Sequence, residues 1–161
     1  MKYISHRGNL TGCNKILENT ENYILTALNL GFDVEIDVWY YGGQFYLGHD
    51  KPTNIIDLKF LKNTGLWIHC KNIKALEFLL KEGCHTFFHD KDDCTLTSKG
   101  IIWTYPGKEL TENSVAVSPS ENFFKNPCDF INCFGICSDI ILNIKRNMER
   151  KRHNYDKISL F

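Results

Sequence analysis

Gly31-Phe32-Asp33-Val34-Glu35-Ile36-Asp37-Val38-Trp39-Tyr40-Tyr41-Gly42-Gly43-Gln44-Phe45-Tyr46-Leu47 is the stretch on which the fold turns. From Asp33 to Tyr41, β-branched and aromatic residues alternate with polar ones at the period of a strand. Gly42-Gly43 supplies the positive φ angles of a tight turn, so Gln44 to Leu47 returns as an antiparallel partner. Gly31 takes the C′ position of a helix from about Thr20 to Leu30, where Tyr23, Ile24, Ala27 and Leu28 recur at helical spacing and Asn19 or Thr20 is the N-cap. A strand at Tyr3 to Ser5 precedes that helix. Strand, helix, strand in this order implies parallel pairing and an α/β class.

Outward from this unit, further strands are expected at Leu66 to Cys70, Thr86 to His89, Ile101 to Tyr105, Ser114 to Val117 and Gly135 to Ser138. A helix opens after Asn72 and carries Ile73, Leu76, Leu79 and Leu80 to Gly83, and a less regular one covers about Ile55 to Lys62. After Cys84 the linking segments Thr97-Ser98-Lys99-Gly100, Pro106-Gly107 and Ser118-Pro119-Ser120 have turn chemistry and are too short for crossover helices. The tail from Asp139 to Tyr155 reads as a helix, with Ile140, Ile141 and Ile144 followed by Lys145, Arg146, Arg150, Lys151 and Arg152 as a solvated cationic end.

At 161 residues, 43% apolar and 13% aromatic, the chain has material for one buried core and is expected to form a single domain over residues 1–161. Its 19 Lys and Arg equal its 19 Asp and Glu, so no broad field draws it to nucleic acid or anionic membrane; no nucleic-acid partner is expected. Met1 to His6 lacks the apolar stretch of a secretion signal, and no run approaches the ~20 residues of a membrane span. A soluble, cytoplasmic protein is the expectation. The seven cysteines are odd in number, and Cys70, Cys84 and Cys137 lie in or beside apolar runs, which suits reduced packing thiols. The gaps in Cys128, Cys133 and Cys137 do not match the paired spacing of a structural zinc site.

Polar residues break the apolar strands in a pattern. Glu35 and Asp37 stand at i and i+2, so both carboxylates share one face while Val34, Ile36 and Val38 share the other. Such a pair is either the acidic outer face of an edge strand or a set of hard oxygen ligands for Mg²⁺, Ca²⁺ or Mn²⁺. His69 and Lys71 repeat the spacing at the end of Trp67-Ile68-His69-Cys70-Lys71, His6-Arg7-Gly8 ends the first strand, and Gly48-His49-Asp50 follows the hairpin. Ligands bind at the carboxyl ends of parallel strands. His6 and His49 offer a general acid and base pair, Arg7 a bidentate phosphate clamp and Lys71 a point charge. Together these groups meet the needs of phosphoryl transfer: charge neutralisation, oxygen orientation and proton shuttling.

Four of these motifs, Ser5-His6-Arg7-Gly8, Glu18-Asn19-Thr20, Gly31 to Val38 and Gly48-His49-Asp50, resemble in order and spacing the glycerophosphodiester phosphodiesterase family of TIM-barrel phosphodiesterases. Ile68-His69-Cys70-Lys71, Trp103-Thr104 and Gly135-Ile136-Cys137-Ser138-Asp139 resemble its later motifs. The resemblance implies His6 and His49 as the acid and base, Glu35 and Asp37 as metal ligands, and Arg7 and Lys71 as phosphate contacts. It implies a metal-dependent hydrolase of a glycerophosphodiester or related small phosphodiester. His69 stands where the family has a third carboxylate ligand, which moves the metal preference from Ca²⁺ towards Mn²⁺ or Zn²⁺.

A TIM barrel usually takes about 200 residues or more. A chain of 161 is therefore expected to form a compact, reduced (β/α) barrel that lacks outer helices in its second half, left incomplete or covered by a homodimer. A phosphate-binding module without turnover, and a phosphodiesterase acting on a nucleotide, are the alternatives. His89 ends a strand and is a candidate to line the pocket, whereas His85 and His153 read as structural or exposed. Trp39 and Trp103 read as core aromatics.

Overall fold

The alternation expected at Asp33 is what the chain builds on throughout. This computed structural model describes residues 1–117 and 132–158, with side chains to residue 150. In chain order the elements are β1 (Lys2–His6), α1 (Glu21–Asn29), β2 (Asp33–Tyr41), β3 (Gln44–Leu47), β4 (Asn54–Ile56), α2 (Leu58–Leu61), β5 (Leu66–Cys70) and α3 (Ile73–Lys81). They continue with β6 (Thr86–Phe87), β7 (Cys94–Leu96), β8 (Ile102–Thr104), β9 (Ser114–Val117), β10 (Gly135–Ser138) and α4 (Ile141–Ile158). Between α3 and α4 no helix occurs among the described residues, as the short connections there require. Cys128 and the Ser118-Pro119-Ser120 turn lie outside the described residues, as do the side chains of Lys151, Arg152, His153 and Tyr155.

One mixed sheet holds all the strands. Its parallel members run in the order β6, β5, β2, β1, β10, β9, β8. Antiparallel additions are the β2–β3 hairpin with its turn at Gly42 (φ 57°) and Gly43 (φ 85°), β4 on the outer edge of β3, and β7 on β8. Although β6 and β8 end the parallel order, Phe87 of β6 and Trp103 of β8 stack with ring centres 4.7 Å apart. The sheet therefore curls until its two ends touch. Among the described residues no ladder joins them.

One helix expectation needs correction, and one expected cap position is filled without a capping side-chain bond. The segment from Ile55 to Lys62 divides into β4 and the single turn α2. Ile55 and Ile56 pair with Tyr46 and Phe45, because the open edge of β3 offers hydrogen bonds that a marginal helix cannot match. Thr20 sits at the N-cap of α1 in extended geometry, yet its hydroxyl donates to the Leu17 carbonyl (2.6 Å) and caps nothing. Asn72 is a true cap, accepting from Ala75 N at the start of α3.

The alternation also sorts the core. Val34, Ile36, Val38, Leu66, Ile68 and Cys70 point outward and are buried under α1 and α3 with Ile24, Ala27, Ala75 and Leu79. Ile4, Trp67, Phe87, Trp103, Val115 and Cys137 fill the inside of the curl. On the far side α4 packs Ile141 and Ile144 on Ile136, Phe32 and Ala116. Cys70, Cys84 and Cys137 are buried free thiols, in keeping with a packing role, and Cys133 is buried as well. Burial drives the Cys70 thiol up to about 12, so it is inert at neutral pH. Among the described residues no helix is long and apolar enough to cross a membrane.

Candidate metal and phosphate site

Five of the seven parallel strands, all but β2 and β9, turn from apolar to polar on the inner face towards or just past their carboxyl ends. Ile4 is followed by His6, Trp67 by His69 and Lys71, Phe87 by His89, Trp103 by Tyr105, and Cys137 by Asp139, while β2 carries Glu35 and Asp37. Register brings these ends level: His6 lies beside Glu35, and Asp37 beside His69.

Glu35 and Asp37 are 3% and 0% exposed, so the acidic edge-strand alternative is excluded and the pair is interior. Asp37 is ringed by cationic and donor groups. Arg7 Nε lies 3.0 Å from Oδ2, Asn19 Nδ2 donates to the same oxygen (2.9 Å), and His69 Nδ1 and Lys71 Nζ lie 3.0 and 3.4 Å from Oδ1. Burial opposes its ionisation, but His69, Arg7 and Lys71 outweigh that cost and hold the carboxyl well below the usual range. Glu35 is different. Among the described residues its nearest ion-pair partners are His6 Nε2 (3.8 Å) and His69 Nδ1 (3.9 Å), and burial together with the Asp37 charge pushes its pKa up.

Two local features hold this arrangement. Arg7 (φ 55°) and Asn19 (φ 56°) both adopt left-handed backbone, an uncommon conformation for residues with a Cβ, and Asn19 N donates to the Arg7 carbonyl (3.1 Å). The turn directs the Arg7 guanidinium back to Asp37 and Glu18 (3.3 Å). Asn19 also accepts from Asp37 N (3.0 Å), so its amide clamps backbone and carboxylate at once.

His6 Nδ1 lies 2.8 Å from Asp139 Oδ1, which also accepts from Asn9 Nδ2 (2.8 Å). Its Nε2 is left towards Glu35. Burial disfavours the charged ring, yet the Asp139 bond and the Glu35 charge together raise its pKa. The sequence marks Asp139 as the last residue of a resembling motif and the start of the tail helix, and gives it no role in the site. The signal for it was present, since it follows an apolar run just as His6 and Lys71 do. Asn9 and Asn19 gave no sign of a partner in their local sequence.

Of the residues expected to form the site, His6, Arg7, Glu35, Asp37, His69 and Lys71 are brought together. His49 stands in the loop after β3, 41% exposed, with Nδ1 2.6 Å from Asp50; no described contact links it to the cluster. His89 does join the cluster, its ring stacked on His69 at 4.4 Å. His85 packs on Trp67 at 4.1 Å, a structural role as expected. Trp103 is buried in the interior, while Trp39 is half-buried and donates to the Gly48 carbonyl (2.6 Å).

The donor set suits a divalent ion. One ligand atom each from Glu35, Asp37 and His69 lie within 4.8 Å of one another, and Glu35 Oε2 is buried with no hydrogen bond, while Asp37 Oδ1 faces His69 and Lys71. A buried carboxylate oxygen left in that state is costly, and an ion would satisfy it. Two oxygens and an imidazole nitrogen match Mn²⁺ or Zn²⁺ better than Ca²⁺. Compared with protein-family models, with curated proteins and with solved structures, the chain has no match.

Proposed function

We propose that this chain is a metal-dependent phosphodiesterase on a reduced (β/α) barrel, hydrolysing a glycerophosphodiester or a related small phosphodiester. The observation that carries it is the buried Glu35 Oε2, left without a hydrogen bond, beside Asp37 and His69 at the carboxyl ends of parallel strands, with two cations and an imidazole around them. Glu35, Asp37 and His69 would hold the ion, which when bound supplies charge neutralisation and polarisation of the phosphoryl oxygens.

The chain's own groups account for the rest. Lys71 and Arg7, both held on Asp37, present positive charge to a phosphate without adding to the net field of the molecule. His6 has one nitrogen tied to Asp139, so Nε2 is the atom that exchanges a proton with substrate. As an attacking hydroxyl forms its bond to phosphorus, the departing alkoxide takes a proton, and a second group must accept the proton of the attacker. His49 is assigned to that second group by resemblance. Its exposed place beside Asp50 favours the other reading, a phosphate-binding module without turnover. A homodimer covering the helix-poor side belongs to the leading proposal and would sediment at twice the chain's mass.

Metal-stripped protein resupplied with Mn²⁺, Mg²⁺, Zn²⁺ or Ca²⁺ and assayed on a panel of glycerophosphodiesters and a nitrophenyl diester tests this. Turnover should depend on the ion and fall by about 10²-fold or more in His6→Ala. Ion and phosphate binding with no turnover would establish the binding module instead. No binding of either would end both.

A further inference from the structure

Within the site, His69 has a weak grip on its own orientation. Its Nδ1 faces Asp37 at 3.0 Å and Glu35 at 3.9 Å, and one close contact at one ring atom leaves the ring free to tilt about it. Restraint comes from stacking. The His89 ring lies 4.4 Å from that of His69 at 13°, and the Phe87 ring 5.2 Å away at 4°. Phe87 rests on Trp103, and Tyr105 meets His89 edge-on with ring centres 4.6 Å apart, its hydroxyl hydrogen-bonded to the His89 ring.

A continuous line of rings, Trp103, Phe87, His69, His89 and Tyr105, thus crosses the place where β6 and β8 face each other without a ladder. Phe87 is 2% exposed and fixed by the core whatever His69 does. His89 is only half-buried, and Tyr105 is what holds it.

The geometry points to His89, held by Tyr105, as a positioning residue that fixes the ring plane of His69 and with it the third donor of the ion site. This rests on His69 being a donor, as proposed above. Partners behind a metal-binding imidazole typically govern affinity by 10–100-fold. Through Tyr105, the residue that follows β8, a segment that supplies no ligand still sets the affinity of the site.

Two measurements on the full chain test it. Mn²⁺ alone is titrated calorimetrically into metal-stripped protein, and the ring-nitrogen NMR signals of His69 are recorded without metal. His89→Ala is expected to bind Mn²⁺ about 10-fold or more weakly and to shift the His69 nitrogens towards averaged tautomers. His89→Phe, which keeps a ring on His69, should recover most of the affinity, and Tyr105→Phe should move both readouts towards His89→Ala. Glu77→Gln, on the exposed face of α3, is the control for a general surface effect. Wild-type affinity and nitrogen signals in folded His89→Ala overturn the assignment. Should His89→Ala not fold, unchanged readouts in Tyr105→Phe overturn it equally. A wild-type chain that binds no Mn²⁺ removes the ion site of the proposed function, and the metal-free nitrogen signals then decide for His89 on their own.

Discussion

Glu35 and Asp37 are two carboxylates on one strand face with opposite dependencies. Asp37 neutralises Arg7 and Lys71, so Asp37→Asn leaves two cations facing a neutral amide in the interior. We expect a loss of about 3–5 kcal/mol in chemical denaturation, the usual result of breaking one side of a buried pair; a midpoint equal to wild type would refute the charge assignment. Glu35 pairs with no full cation and its ionisation is disfavoured. Glu35→Gln should therefore leave the midpoint unchanged or raise it, while Mn²⁺ affinity falls by about 10-fold or more. A variant that loses stability and keeps its affinity would show Glu35 to be structural.

His85 gives a pH dependence whose sign can be worked out. Burial first, and Lys99 second, bring its pKa down from 6.5 to about 4. The unfolded chain takes up a proton near pH 6.5 and the folded chain only near pH 4, so the unfolded state binds more protons between them. The contribution of His85 is complete above pH 6.5 and is lost as pH falls to about 4. Replacing it with Gln should flatten the fall in stability across that window, only partly, because His89 is shifted in the same direction. An unchanged slope in denaturation at several pH values would count against it.

At the scale of elements, the β3–β4 connection is the least tolerant. Gly48 has φ 143°, and a Cβ there would lie 2.2 Å from the Lys51 carbonyl, a backbone atom that cannot move aside cheaply. Gly48→Ala should cost about 1–3 kcal/mol and displace His49, so thermal unfolding and turnover are both informative; full retention of both would show the loop to be adaptable. Legibility differed among elements for physical reasons. All strands that ran four residues or more in the structure were visible as short apolar runs, with period-two alternation clearest in β2. β7 was not, because Cys94-Thr95-Leu96 is three residues behind the polar stretch Asp90 to Asp93 and exists only by pairing with β8. Ile55-Ile56 suited helix and strand alike until the edge of β3 decided it.

For the whole molecule, the decisive feature is that the sheet's two ends meet through rings and turn contacts in place of a ladder. Thr95 Oγ1 donates to the Phe88 carbonyl (2.9 Å), Ser98 N to Thr86 O (2.8 Å) and Thr86 N to Ser98 Oγ (2.9 Å), among the polar links there. Amides of β6, which is paired only with β5, should exchange with solvent faster than those of β1 and β2, which are paired on both sides. Phe87→Ala should cost about 3–5 kcal/mol and widen that difference. Uniform protection in native-state exchange would show that the ends are closed more firmly than by side chains.

The sequence by itself determined which side chains share a strand face and which lie at strand ends, because alternation is a property of the backbone and needs no partner. That was enough to single out His6, Glu35, Asp37, His69 and Lys71. The tertiary structure alone decided which ends meet: it set Asp139 on His6 across 133 residues, placed Tyr105 behind His89, and left His49 beside Asp50. Register between distant strands depends on how the curled sheet packs inside and out, and no local run of residues carries that information.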